Sequence, residues 1–379
     1  MKKVLLVFPG IEVNLNDGAK HRLNCFIEQY KENGAEIDVL AFVKDWPHKK
    51  ELNENAHWFL FPYILPLTWS LFFSYILIGY MSFVMTVFTW VKHYDVVQME
   101  VYGIRSKLCR RCTKYIVDLH GDLLYERIEI GKGNIDDWCS ALFRKLQKQC
   151  ILNSDLLICV SENLKKQIEI NTNTPIKDYS IISCGVNYER FMMAHKANVD
   201  INLDDRLVVG YSGGLNKWQN IDKILNIVKR MLSIDKRVYF ALFTNGKLSQ
   251  YEHALSEIGE KNVMIKALTP LQIPNYTKIL DGGFLLRDNL ILNIVSSPTK
   301  IGEYLASGAA LICTPYSGDY KLYTEGHDNC YVLSNYSDEE IRRLLDWLWE
   351  YKRKQHSASY LSSYSFSNQF KHSSIIHLL

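Results

Sequence analysis

Residues 296–314 read SSPTKIGEYLASGAALICT, and their punctuation is that of a loop, a helix and a strand in succession. Ser297 suits an N-cap, Pro298 the first helical position, and Gly308 the position just past a helix end. A short helix is therefore expected from Pro298 to Ser307. The run GGFLLR (282–287) comes before it and ALICT (310–314) after it, both apolar and of strand length. A strand that feeds a helix that feeds another strand is the repeating unit of a helix-covered parallel sheet.

The same alternation extends in both directions. In the second half it adds LVVGYS (207–212), VYFALF (238–243) and VMIKAL (263–268). In the first half the strand-like runs are VLLVF (4–8), IDVLAF (37–42), DVVQM (95–99), YIVDL (115–119), DLLICV (155–160) and YSIIS (179–183). Between the halves, a polar stretch from Met193 to Arg206 reads as a linker. The expected organisation is α/β: a Rossmann-like domain over 1–195, a second over 196–354, and a tail over 355–379 packing back on the first. Two such domains facing a central cleft hold ligands at the carboxyl ends of their strands.

The chain has 379 residues, enough for two cores, and 47% of them are hydrophobic. With 44 basic and 41 acidic side chains the net charge is +3, too even for a nucleic-acid partner. The cysteines number nine, odd and irregularly spaced, which points to a reducing, cytoplasmic setting. Cys109 and Cys112 form a C-x-x-C with no second pair to complete a metal site. The apolar start is only eight residues long and contains Pro9-Gly10, so it reads as a buried strand and not an export signal.

No charged side chain occurs from Trp58 to Val91. That length is enough for a membrane span, but strands of one sheet flank it, so a single crossing would split the sheet. Two readings remain: a helix or hairpin lying in the membrane interface, or a buried core element, with Pro62, Pro66 and Gly79 as breakers. The basic residues Arg105, Lys107, Arg110, Arg111 and Lys114 either meet anionic headgroups or form a solvated face.

The helix begun at Ser297 points free N–H groups and the positive end of its dipole at the strand ends, where they favour an anion. Lys300 in its first turn and Arg287 at the end of GGFLLR add two cations, which together suit a diphosphate. Glu303, one turn on, suits the hydroxyls of a ribose. The plain alternative is that Lys300 and Glu303 form an i,i+3 surface pair.

Four segments in order resemble retaining glycosyltransferases of family 4 and their group-1 relatives, which have the GT-B fold. They are SDLLICVSENLKKQI (154–168), IISCGVNYERF (181–191), VVGYSGG (208–214) and PTKIGEYLASGAALICT (298–314). The resemblance implies an N-terminal acceptor-binding domain and a C-terminal nucleotide-sugar domain. It places Glu303 at the second glutamate of the family's E-x7-E element, while the first position is Val295. It gives Gly213, Gly214 and a displaced Lys217 the donor phosphates, with Arg287 and Lys300 supplying charge. It makes His120 the active-site histidine, and Gly10, Asp17 and Gly18 the loop near donor and acceptor.

The implied reaction is transfer of a sugar, with retention and without a metal or other cofactor, from a nucleoside-diphosphate sugar to a saccharide or lipid-linked saccharide. Surface-polysaccharide assembly in the cytoplasm, peripheral on the inner face of the cell membrane, is the expected setting. Two rivals are a non-catalytic GT-B protein or sugar-nucleotide epimerase, and a serine hydrolase built on Ser212 of G-x-S-x-G with Asp288 and His327.

Overall fold

The computed structural model describes residues 1–11, 18–44, 52–64, 70–100, 112–129, 131–354 and 358–379. It forms two compact units, 1–184 with 366–379, and 185–365. The first unit holds β1 (Lys3–Ile11), β2 (Glu36–Val43), β3 (His57–Pro62), β4 (Tyr94–Glu100), β5 (Cys112–Leu119), β6 (Leu156–Cys159) and β7 (Tyr179–Ile181). They lie in the order β3-β2-β1-β4-β5-β6-β7. The second unit holds β8 (Leu207–Ser212), β9 (Val238–Phe243), β10 (Val263–Lys266), β11 (Gly282–Leu285), β12 (Ala310–Cys313) and β13 (Cys330–Val332). Their order is β10-β9-β8-β11-β12-β13. Every pairing in both sheets is parallel.

The inner strands read as unbroken apolar runs because helices cover both faces. All six residues of β8 and of β9 are buried. On one face of the second sheet, helices Ile221–Ile234 and Asp338–Arg353 contribute Ile224, Val228, Ile341 and Leu344 to the core. On the other face, Ile301, Tyr304 and Leu305 of helix Thr299–Ala306 do the same.

Two strands were not foreseen. β3 was hidden inside the apolar run from Trp58, and its exposure pattern is that of an edge strand closed by Pro62. β13 is only three residues long and lies among polar neighbours. Further along the 58–91 segment comes one helix, Leu71–Val91, started by Ser70, whose hydroxyl accepts from the Phe73 N–H. Gly79 sits inside this helix and does not break it; Pro66 lies outside the described residues.

The division between units falls at Gly185, ahead of the polar stretch read as a linker. Val186 and Phe191 join the core of the second unit. Ala197 donates its N–H to the Asn275 carbonyl at 3.0 Å, and Leu203 is buried. The stretch is thus polar surface on a folded segment. In the tail, Leu361 belongs to the second unit's core. Residues 366–379 return to the first unit, where Phe366 and Phe370 meet Phe26 and Tyr30 edge-on at 5.0 and 5.3 Å. Gln369 accepts from the N–H and hydroxyl of Ser183 at 2.7 and 2.9 Å.

Candidate active site

In the second sheet the strand order reverses between β8 and β11, and the crevice at the carboxyl ends of such a pair is where doubly wound sheets take ligands. Gly213 follows β8 with φ +140°, a conformation side chains disfavour. A Cβ there would lie 2.5 Å from Lys300 Cε and 2.8 Å from its Nζ. Glycine at 213 therefore makes room for the lysine, which also lies 5.6 Å from the Tyr211 ring centre.

Arg287, two residues past β11, is buried. Its N–H donates to Thr314 Oγ1 at 2.9 Å, and that hydroxyl donates back to the Arg287 carbonyl at 2.6 Å. Its Nη1 donates to the Trp218 carbonyl and to Gln219 Oε1, both at 2.8 Å, while buried Nε makes no hydrogen bond. Arg287 thus braces the turn after Gly213-Gly214 as well as charging the crevice.

Helix Thr299–Ala306 starts one residue later than expected, with Pro298 in the capping position and no side chain capping it. Ser297 is not the cap: it is buried near Asp319, whose carboxyl burial pushes up to about 7 with Ser297 opposing. The Ile301 N–H donates to the Pro298 carbonyl at 3.2 Å, which leaves the Thr299 and Lys300 N–H groups for an anion. The other end is as expected, with Gly308 at φ +85°. Tyr304 docks the helix on the sheet, its hydroxyl accepting from the Ser212 N–H at 2.9 Å. Gly283 is required beneath it, since a Cβ there would meet the ring at 2.5 Å.

Lys300 and Glu303 are both half-buried. Burial and then repulsion from Arg287 pull the Lys300 ammonium down to about 8, with Glu303 opposing. Burial raises the Glu303 carboxyl, against the attraction of Lys300 and Arg190. Burial likewise lowers the Arg287 guanidinium. A lysine that must be charged to hold a diphosphate keeps its effect below its own pKa and loses it above. Affinity for a nucleoside diphosphate is accordingly expected to hold below about pH 8 and fall above it, and Lys300→Arg to flatten that profile, since guanidinium stays charged. Calorimetric titration on both sides of that pH checks it; a flat wild-type profile would count against Lys300 as a phosphate ligand.

The remaining residues expected here are placed differently. Lys217 is exposed on the short turn Lys217–Gln219. Gly214 is exposed, its carbonyl accepting from Tyr211 Oη at 2.5 Å. Val295 is buried at the end of helix Ile291–Ile294. The hydrolase constellation is not assembled: Asp288 pairs with Lys223, and His327 stacks on Tyr360 at 3.7 Å.

In the first unit the order reverses between β1 and β4. Gly10 lies in β1, where the register with β2 shifts between Pro9 and Ile11. Gly18 opens helix Gly18–Glu32, and Asp17 lies outside the described residues. His120 follows β5 directly, and its Nε2 is 3.2 Å from Glu100 Oε2 at the end of β4. Burial and then Asp118 push the Glu100 carboxyl up to about 7, with His120 opposing. Burial pulls the His120 imidazole down, but the Glu100 carboxylate beside it outweighs that, and the net direction is up. Asp118 pairs in register with Glu100 and is held by both sides of the Arg22 fork, at 2.6 and 2.7 Å.

Glu100, Asp118, Arg22, Arg190 and Tyr304 were missed as site residues. For Glu100 and Asp118 the available signal was a charged residue within or ending an apolar strand run, as in DVVQME (95–100) and YIVDL; Arg22, Arg190 and Tyr304 lie on helices and carried no such signal. Among the described residues one group could offer metal ligands together, Glu36, Asp38 and His57. Lys92 already lies 2.8 Å from both carboxylates.

Residues 17–190 match the model for Glycosyltransferase Family 4. No curated protein sequence matches the chain. Among solved structures, a glycosyltransferase from Rickettsia africae superposes with TM-score 0.69 at 14% identity, covering 98% of this chain and 96% of that one. HepE of Anabaena, solved with UDP and glucose, gives 0.66 at 13%, covering 100% and 97%. WaaG, a glycosyltransferase involved in lipopolysaccharide biosynthesis, gives 0.64 at 10%, covering 99% and 97%. At these identities the likeness is one of fold, and the fold is GT-B.

Proposed function

We propose that this chain, a GT-B glycosyltransferase by its family 4 match and its fold, moves a sugar from a nucleoside diphosphate to a hydroxyl of a saccharide or lipid-linked saccharide. The observation that carries the reading is the packing of Lys300 against Gly213 beside buried Arg287, at the strand-order reversal of the second sheet. The anomeric carbon–oxygen bond to the diphosphate breaks with its electron pair staying on the diphosphate, and the acceptor oxygen bonds to the sugar with retention as its proton passes to the departing diphosphate. The departing group gains negative charge. Lys300, Arg287 and the free end of helix Thr299–Ala306 stabilise that charge, and no metal is assigned to the step. Glu303 takes the ribose hydroxyls, and His120, held by Glu100, serves the sugar side.

A cytoplasmic role in surface-polysaccharide assembly is the setting we assign, in keeping with the biosynthetic role of WaaG. Radiolabelled UDP-, GDP- and ADP-sugars offered with lipid-linked acceptors test the reading. Transfer from at least one donor is expected. Interconversion of the donor sugar without transfer would replace it with an epimerase, and inertness toward every donor with a non-catalytic role.

A further inference from the structure

Helix Leu71–Val91 is long and apolar enough to cross a membrane, yet its place in the fold keeps it outside one. It connects β3 to β4 of the same parallel sheet. Its inner face buries Ser74, Leu77, Met81, Val84, Met85 and Thr89 along the whole length, so it is anchored sideways and is not free to insert end-on.

Among the described residues, the opposite face is uncovered. Phe72 is 69% exposed, Phe83 68%, Trp90 56% and Val91 83%, with Tyr75, Ile76 and Val87 exposed between them. Only 28% of its most apolar stretch is buried, which is not the state of a core helix. Positions 72, 76, 83, 87 and 90 share one side at helical spacing. At 1.5 Å per residue the stripe runs for about 30 Å, with no charged side chain. A continuous exposed apolar surface of this extent marks a contact site.

Charge beside the stripe identifies the partner. Ile78 packs with Leu142, Phe143 and Leu146 of the neighbouring helix Trp138–Asn153. From that helix Lys145 reaches Tyr75, its Nζ 3.4 Å from the hydroxyl and 5.6 Å from the ring centre. Lys148, one turn on, is exposed, and Trp138 and Leu152 are exposed toward the ends of the helix. The helix carries Arg144, Lys145 and Lys148 and no acid. Aromatic and aliphatic side chains flanked by cations suit the headgroup boundary of an anionic bilayer, where apolar groups sink and ammonium groups meet phosphate. A second copy docked face to face would bring the same cations and no acid to receive them.

We propose that helix Leu71–Val91, flanked by Lys145 and Lys148, is an in-plane docking surface for anionic membrane. It holds the protein on the bilayer without crossing it. The surface is independent of the sugar-transfer reading and stands or falls by lipid binding alone.

Flotation of the full chain with vesicles of phosphatidylcholine, alone or mixed with phosphatidylglycerol, tests it. Co-flotation with the mixed vesicles at low salt is expected, weakening as salt rises. Phe83→Glu with Trp90→Glu should abolish it, and Lys145→Gln and Lys148→Gln should each weaken it roughly fivefold. Thermal melting of each variant at the wild-type temperature shows that loss of flotation is not loss of fold. If a variant melts early, protection of Trp90 fluorescence from an aqueous quencher by mixed vesicles, measured on the wild type, decides the matter. Failure of the wild type to float on either vesicle overturns the proposal. So does sedimentation as a dimer that Phe83→Glu dissolves, which would make the stripe a contact between copies.

Discussion

Replacing Lys300 by alanine lowers kcat/KM for sugar transfer by about two to three orders of magnitude, the usual cost of removing one preorganised donor from a site where charge develops. The side chain is half-buried against Gly213 and lies close enough to Arg287 to be repelled by it. Its charge is thus held in place before any substrate arrives, in surroundings that screen poorly. The loss should fall on kcat as well as on nucleotide affinity, because charge on the diphosphate grows as the bond breaks. Glu303→Ala should act mainly on affinity, through the ribose. Steady-state kinetics with the donor found in the screen, beside calorimetric Kd values for the bare nucleotide, separate the two. Full activity in both variants would remove the site from consideration.

Replacing Asp118 by alanine lowers the stability of the first unit by about 3–5 kcal/mol, because it strands the Arg22 guanidinium without its counter-charge. Both side chains are almost wholly buried, at 2% and 0% exposure. Arg22 is also packed over the rings of Phe26 and Phe366, 5.2 and 5.6 Å from their centres. At that burial solvent does not reach the guanidinium to replace the carboxylate. Urea unfolding followed by a probe in the first unit measures the change, and the paired variant Arg22→Met with Asp118→Leu should recover most of it. An Asp118→Ala protein as stable as the wild type would mean that the pair is relaxed or hydrated in solution. The same substitution also removes the repulsion that helps raise the Glu100 carboxyl. The pH dependence of any step served by His120 should therefore move with it.

Much of the architecture was legible in one dimension. Runs such as VLLVF, LVVGYS and ALICT became buried parallel strands because a strand covered on both faces must be apolar throughout, and that requirement is local. The helix that carries Lys300 and Glu303 was equally legible, since Pro298 and Gly308 act on the backbone where they stand. β3 was not: its six residues are as apolar as the helix that follows, and no local signal parts a short edge strand from the start of a longer hydrophobic run. The polar stretch 193–206 misled for the converse reason, because a folded surface segment and a linker share a composition.

What the tertiary structure decided is which charges meet. Glu100 and Asp118 lie on neighbouring strands 18 residues apart in sequence, and Arg22 comes from a helix 96 residues before Asp118. Only the sheet order brings them together. Ser297 looked like a cap but sits buried near Asp319, where the turn at Gly318 folds over Ser296 and Pro298. Periodicity and turn chemistry act through bonded neighbours and can be read along the chain. Pairing of buried charges acts through space, and what lies nearby in space is known only once the sheets have formed.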